Sequence, residues 1–326
     1  MARIIQISQT GGTEVMKLKH MELDKSGPKK ECVRIKQKSI GVNYIDTYHR
    51  SGVYPVSLPC VLGLEAAGDV SAIGEGVEGF KVGDRVAYAA APIGAYAEER
   101  DYDSKNLVKI PEYINYDEAA AILLKGMTVE YLFNRTYKIK RGEFFLFHAA
   151  AGGVGLVACQ WAKAIGARMI GTVGNEMKGA LAKKNGCEFI INYSKENVSK
   201  AVAEITEGKG VNVAYDGVGK DTFQTTIDCL GDRGLFVSFG QSSGMIEDIS
   251  LHASFAPKNL YYTRPSLLVY NKTKKALSNS SAVLFNMIKE SNIKIENIKK
   301  YNFEDAAKCH EDLQLRKTHG SLILKV

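Results

Sequence analysis

The stretch FFLFHAAAGGVGLVACQWAKAIGA, residues 144–167, constrains this chain most. It joins a short apolar run, a glycine-rich turn and an amphipathic segment without a break. Val154, Val157, Trp161 and Ile165 recur at spacings of three, four and four, which is one face of a helix. FFLFH at 144–148 reads as a fully buried strand. RMIGTV (168–173) reads as the next strand, and NEMKGALAKKNG as a helix closed by Gly186. EFIINY (188–193) is a further strand. After it Ser194 is expected to cap a helix whose face is Val198, Val202 and Ile205. VNVAYD (211–216), a helix near 221–230 and GLFVSFG (234–240) continue the alternation. Strands and helices alternating at this pitch mean βαβ units around a parallel sheet.

The flanks differ. In residues 63–86, glycines 63, 68, 74, 76, 79 and 83 separate short apolar runs, which fits strands joined by turns. Residues 31–42 alternate like a strand. One helix is expected from near Asn43 and another from near Asp117, with Asp117 capping EAAAILL. Near the C-terminus a long helix is expected over 273–290, with Leu277, Val283, Leu284, Met287 and Ile288 on its apolar face, and then a short strand, SLILKV.

Composition excludes several classes. With 326 residues, 45% of them hydrophobic and 24% charged, the chain can bury a core without staples, as one large domain or two ordinary ones. No uninterrupted apolar run exceeds six residues, far short of a membrane span. The opening MARIIQISQT does not read as a secretory leader. The six cysteines are never closer than 28 positions, so neither a zinc ribbon nor a disulfide framework is legible, and a reducing, cytoplasmic setting is expected. The net charge of +7 is mild and spread out. Its densest cluster, Lys272, Lys274 and Lys275, reads as solvated surface rather than a nucleic-acid stripe.

The glycine-rich turn carries the chemistry. The dinucleotide fingerprint G-x-G-x-x-G falls on Ala150, Gly152 and Gly155. Gly152 leaves a bare backbone for a diphosphate and Gly155 permits close helix–strand packing, while Ala150 serves the tight turn if its φ is negative. Amides at the helix start would then hold the phosphates. The second strand bears on which nicotinamide dinucleotide binds. It ends in Gly174 and Asn175, with no carboxylate at its tip for a ribose hydroxyl, and Lys178 follows one helical turn later. A small residue leaves room for a 2′-phosphate, so NADP is favoured over NAD. Lys178 is either its counter-charge or a plain helix lysine, and Tyr193 either reaches the adenosine side or is a half-buried strand residue. The six histidines (20, 49, 148, 252, 310, 319) and the scattered cysteines offer no usable zinc spacing, so hydride chemistry is expected to rest on positioning and electrostatics.

These residues together resemble the zinc-free medium-chain dehydrogenase/reductases, in particular their NADPH:quinone oxidoreductase (zeta-crystallin-like) branch. The likeness runs end to end through NYIDTYHRSGVYP (43–55), GLEAAGDV (63–70), GDRVAY (83–88), LLKGMTVEYL (123–132), the glycine-rich stretch itself, GTVG (171–174), INY (191–193), VSFGQSSG (237–244) and TRPSL (263–267). It implies an α/β protein in which a GroES-like β-barrel catalytic domain, residues 1–125 and 263–326, is interrupted by a Rossmann domain, 126–262, a doubly wound parallel sheet that binds NADPH, with the cofactor in the cleft. Zinc-containing relatives carry a Cys near positions 43–46 and a His after Gly63; Asn43 and Leu64 stand there.

The resemblance implies roles residue by residue. Asn43, Tyr48 and Tyr54 would line the nicotinamide and substrate pocket. Thr128 and Tyr131 would lie near the cofactor, Gly152, Gly153 and Val154 at its diphosphate, and Gly174, Asn175, Lys178 and Tyr193 around its 2′-phosphate. Phe239, Gly240, Ser242 and Ser243 would continue the wall, with Arg264, Ser266 and Arg316 reaching in from the other side. Two of these have plainer readings: Tyr54 packing a turn before Pro55, and Arg316 pairing with a surface carboxylate. Gly217 departs from the Ser common in the family. The implied reaction is reduction of a quinone by hydride or stepwise electron transfer, without a metal. The alternatives are an alkenal or enone reductase, in which a tyrosine would matter for protonation, and a zeta-crystallin-like protein binding AU-rich RNA. A homodimer is implied by the family alone.

Overall fold

The computed structural model describes residues 1–247, 249–290 and 292–326. In chain order it begins with β1 (Ala2–Ile7), β2 (Lys17–Met21), β3 (Cys32–Val42), α1 (Tyr44–Ser51), β4 (Cys60–Val61), β5 (Glu65–Ile73), β6 (Arg85–Ala89), β7 (Glu99–Asp103) and β8 (Val108–Lys109). There follow α2 (Tyr116–Tyr131), β9 (Phe144–Phe147), α3 (Gly153–Ile165), β10 (Arg168–Val173), α4 (Glu176–Lys184), β11 (Phe189–Asn192), α5 (Val198–Ile205), β12 (Val211–Asp216), α6 (Phe223–Cys229) and β13 (Leu230–Ser238). The chain ends with α7 (Leu251–Phe255), β14 (Tyr261–Thr263), α8 (Leu267–Tyr270), α9 (Lys274–Lys289), β15 (Ile298–Asn302), α10 (Ala306–Gln314) and β16 (Ser321–Lys325).

Two compact units emerge. The first is Met1–Met127 with Asn271–Lys289 and Ile295–Val326; the second is Thr128–Tyr270 with Glu290–Lys294. In the first, β2, β1 and β4 form one small sheet. A larger one runs β15–β16–β3–β5–β6–β8, with β7 also on β3. Strand β3 is the hub, antiparallel to β5, β7 and β16. Its inward side chains Val33, Ile35 and Ile40 are fully buried with Val70, Val86 and Phe303. The glycine-punctuated stretch holds two strands, β5 and the start of β6, rather than several short ones, and Gly74, Gly76, Gly79 and Gly83 lie in the turns between them.

The second unit is the doubly wound sheet. All its strand pairs are parallel, in the order β11–β10–β9–β12–β13–β14. Chain order reverses between β9 and β12, and the crevice beyond the carboxyl ends of the strands at such a reversal is where ligands bind. Leu146, Ile170, Ile191, Ala214 and Phe236 fill the core.

Three local expectations need correction. Asn115, not Asp117, caps α2: its Oδ1 accepts from Glu118 N at 3.0 Å and Glu118 Oε2 accepts from Asn115 N at 2.8 Å, a reciprocal box. Asp117 instead pairs with Lys300 and Lys325. Helix α5 is capped by Asn197, whose side chain accepts from Lys200 N, rather than by Ser194, whose hydroxyl donates to Gly174 O. The buried face of α9 is Leu277, Ser280, Ser281, Leu284 and Phe285, while Val283 is exposed. Two serines on the inner face hid the true periodicity from an apolar count.

Candidate functional site

The glycine-rich turn leaves β9 through His148. Ala149, an exposed residue, takes the left-handed conformation with φ 56°. Ala150 is not among the positive-φ residues, which meets the condition for an alanine at the first fingerprint position; the left-handed residue is Ala149 before it. That geometry costs an alanine roughly 1–2 kcal/mol. A Cβ on Gly155 would meet Ala149 O at 2.4 Å and the Ala150 carbonyl carbon at 2.6 Å, so only hydrogen fits. On Gly152 it would lie 3.2 Å from Ala149 O. Helix α3 starts at Gly153 with Gly152 as its N-cap; no side chain caps it and no acid stands in its first turn. Uncapped amides at the positive end of a 13-residue helix suit an anion. The residues present therefore fit a dinucleotide's diphosphate.

The tip of β10 is equally spare. Gly174 lies under the Tyr193 ring, and a Cβ at 174 would stand 2.6 Å from the tyrosine hydroxyl. Asn175 caps α4 by accepting from Lys178 N at 2.9 Å, which fixes the lysine one turn beyond the tip. Glu176 is exposed and pairs with Lys195. Tyr193 is 46% exposed. Gly174, Asn175, Lys178 and Tyr193 are thus brought together.

The other second-unit candidates lie at the end of α2 and in the segments that follow β13 and β14. Tyr131 is buried and stacks on Tyr270 with ring centroids 4.6 Å apart. Burial raises its pKa, and the Arg264 guanidinium partly opposes this. Arg264 Nη1 donates to Ser238 O at 2.9 Å. Thr128 is buried nearby in sequence, and Ser266 O accepts from the amides of Val269 and Tyr270. Phe239 packs 5.5 Å from Phe147. Gly240, Ser242 and Ser243 are tied by main-chain bonds to Asp216, Gly217 and Val218. A side chain on Gly217 would press on the Phe239 ring at 3.0 Å.

Sequence reasoning missed what holds the turn after β12. Asp216 Oδ1 accepts from the amides of Val218 (2.6 Å) and Gly219 (3.0 Å), and Oδ2 from the hydroxyls of Thr222 (2.7 Å) and Thr226 (3.0 Å). His148 bridges Thr172 and Thr226, each at 3.0 Å, and burial lowers its pKa. The available signal was an acid ending the apolar run VNVAYD.

In the first unit, Asn43 caps α1. Its amide donates to Asp46 Oδ2 at 2.8 Å and its Nδ2 to Glu65 Oε2 at 2.7 Å. Glu65 is fully buried, also accepts from Leu124 N at 2.7 Å, and faces Lys125 Nζ at 3.5 Å. Burial pushes its pKa up, opposed chiefly by Lys125. Tyr48 lies 5.2 Å edge-on to Tyr54 and 5.5 Å from Tyr44. Tyr54 N donates to Tyr48 O at 3.1 Å, so the two rings are held as a pair. Arg316, in the left-handed conformation after α10, acts electrostatically on Tyr44. Glu65 and Lys125 were missed; each is a lone charge in an apolar run, GLEAAG and LLKGM. Among the described residues no group of three or more His, Cys, Asp or Glu side chains is arranged to hold a metal ion.

Two family models match the chain: an alcohol dehydrogenase GroES-like domain over residues 29–133 and a zinc-binding dehydrogenase over 153–280. A quinone oxidoreductase of Pseudomonas aeruginosa is 46% identical, covering 99% of both chains. The crystal structure of an Escherichia coli quinone oxidoreductase complexed with NADPH superposes with TM-score 0.97 at 45% identity, over all of both chains. A 2-haloacrylate reductase of a Burkholderia species is 39% identical, covering 98% of this chain and 97% of its own.

Proposed function

The chain belongs to the quinone oxidoreductase family of medium-chain dehydrogenase/reductases, and we propose that it reduces quinones with NADPH. The observation that carries this reading is the uncapped start of α3 over a turn where Gly155 admits no side chain. The amides of Gly153 and Val154 would hold the diphosphate. Lys178, beside a strand tip without a carboxylate, would neutralise the 2′-phosphate. Tyr193 would flank the adenosine, and Thr128, Tyr131, Phe239, Gly240, Ser242, Ser243, Arg264 and Ser266 would complete the cofactor's surroundings. When bound, NADPH supplies a hydride.

On the first unit, Asn43, Tyr48 and Tyr54 would line the nicotinamide and acceptor pocket, and Arg316 would reach toward the cofactor. The rings of Tyr48 and Tyr54, held edge to face, would flank a planar quinone. A quinone's reduced oxygens take protons from water, so no buried acid is required of the chain. Mixing the protein with NADPH and a 1,2-quinone in a stopped-flow instrument tests the reading: NADPH absorbance should fall with saturable dependence on quinone. No loss with any ortho- or para-quinone would remove it.

The 2-haloacrylate reductase relative favours a second reading, reduction of an activated carbon–carbon double bond. That reaction needs a proton at carbon, for which Tyr48 or Tyr54 would be the donor.

We further propose a cytoplasmic setting for the enzyme, because a reducing compartment keeps thiols such as its six cysteines free. It would act as a homodimer through the edge strand β14, where Tyr261 is 62% exposed. Light scattering on the eluting peak, giving twice the chain mass, checks the assembly.

A further inference from the structure

Helix α1 has two functionally distinct faces. Tyr44 and Tyr48, four residues apart, lie on one. Asp46 and Arg50, also four apart, lie on another and are buried. The buried pair is tied to distant parts of the first unit. Arg50 Nη1 is 3.3 Å from His310 Nδ1 in α10. A guanidinium has donors only, so Nδ1 must accept, and the ring proton sits on Nε2. Nε2–H then donates to the Tyr96 hydroxyl at 2.8 Å. The tyrosine's own proton is left for Asp46 Oδ2 at 3.1 Å, the same oxygen that accepts from Asn43 N. The bonds therefore run in one direction, Arg50 to His310 to Tyr96 to Asp46, and close on the helix cap. Arg50 also donates to Gln314 Oε1 at 2.8 Å and Gly11 O at 3.2 Å.

An eight-residue helix has little stability of its own, so its setting comes from such anchors. We propose that Tyr96 and His310 are positioning residues for the acceptor: through Asp46 and Arg50 they set the rotation of α1, and with it the aim of Asn43 and Tyr48, without touching the acceptor themselves. This rests on the reading of Asn43, Tyr48 and Tyr54 as the acceptor side. Misplacing a reacting group by about 1 Å can cost roughly a hundredfold in rate. Of the NADPH-holding residues only Asn43, at the nicotinamide, and Arg316 belong to the first unit, while those at the diphosphate and 2′-phosphate belong to the second, so the consequence should fall chiefly on the acceptor.

Full-length Tyr96→Phe, His310→Leu and His310→Gln, assayed with NADPH and a 1,2-quinone, test this. Tyr96→Phe and His310→Leu should lower kcat/KM for the quinone about tenfold or more, while Kd for NADPH by fluorescence titration stays within about twofold. His310→Gln should recover most of the loss, because its carboxamide offers one acceptor and one donor in place of the two ring nitrogens. Should His310→Leu fail to fold, Tyr96→Phe, which removes a single oxygen, decides alone. Quinone parameters within about twofold of wild type in Tyr96→Phe, or an equal loss of NADPH affinity, overturn the proposal. A wild type inert to every quinone overturns the acceptor reading as well, whereas active wild type with unaltered variants overturns only the positioning.

Discussion

The hydroxyl of Tyr193 occupies the space that any side chain on Gly174 would need, 2.6 Å from the position of a Cβ there. The strand tip and the tyrosine thus form one surface. Gly174→Ala should push the ring aside and weaken NADPH binding several-fold, with little effect on melting temperature because Tyr193 is only half-buried. Isothermal titration of the variant checks this; unaltered affinity would separate Tyr193 from the cofactor.

Lys178 should set the preference between the two dinucleotides. A hydrogen bond to a charged group is worth about 1.5–3 kcal/mol, or roughly ten- to a hundredfold. Lys178→Gln should therefore lower kcat/KM for NADPH by about that factor and leave NADH almost unaffected. The ratio of the two specificity constants is the measurement.

The tyrosine pair discriminates between acceptor chemistries. Tyr48→Phe and Tyr54→Phe keep both rings and remove only the hydroxyls. With quinones, losses should be small, since water supplies the protons. With enones or 2-haloacrylates, one of the two variants should lose on the order of a hundredfold, the scale of a general acid.

His310 predicts a pH dependence of stability. Burial, aided by the Arg50 charge, lowers its pKa from 6.5 to about 3. As pH falls through that window the unfolded chain takes up a proton that the folded one refuses, so stability drops. Asp46 works the other way. Burial raises its pKa from 3.8 to about 7, so between those values the folded chain holds the extra proton and stability rises as pH falls. In His310→Gln only the histidine contribution disappears. Urea denaturation at stepped pH should show the difference between wild type and variant changing steadily between pH 6.5 and about 3, in the direction of relative acid tolerance for the variant.

Much of this was legible in the sequence. The 3.6-residue spacing in α3 and the β–α alternation announced the parallel sheet, because both are local signals. The missing parts are those set by distant partners. Glu65 meets Asn43 and Lys125 across 22 and 60 positions, and Tyr96 meets His310 across 214. No pattern along the chain records such pairings. The face of α9 was misjudged for a different reason: Ser280 and Ser281 lie inward where small residues fit, so counting apolar side chains selected Val283 over Phe285.

The Glu65–Lys125 ion pair has a consequence for how this chain can diverge. Losing one partner strands the other's charge in the interior, at a cost of about 3–5 kcal/mol, a large share of what keeps a domain folded. Exchanging both for well-packed apolar residues can be neutral. Descendants of this sequence should therefore inherit the two together or shed them together, and a lineage retaining only one should carry a second change nearby that rescues it.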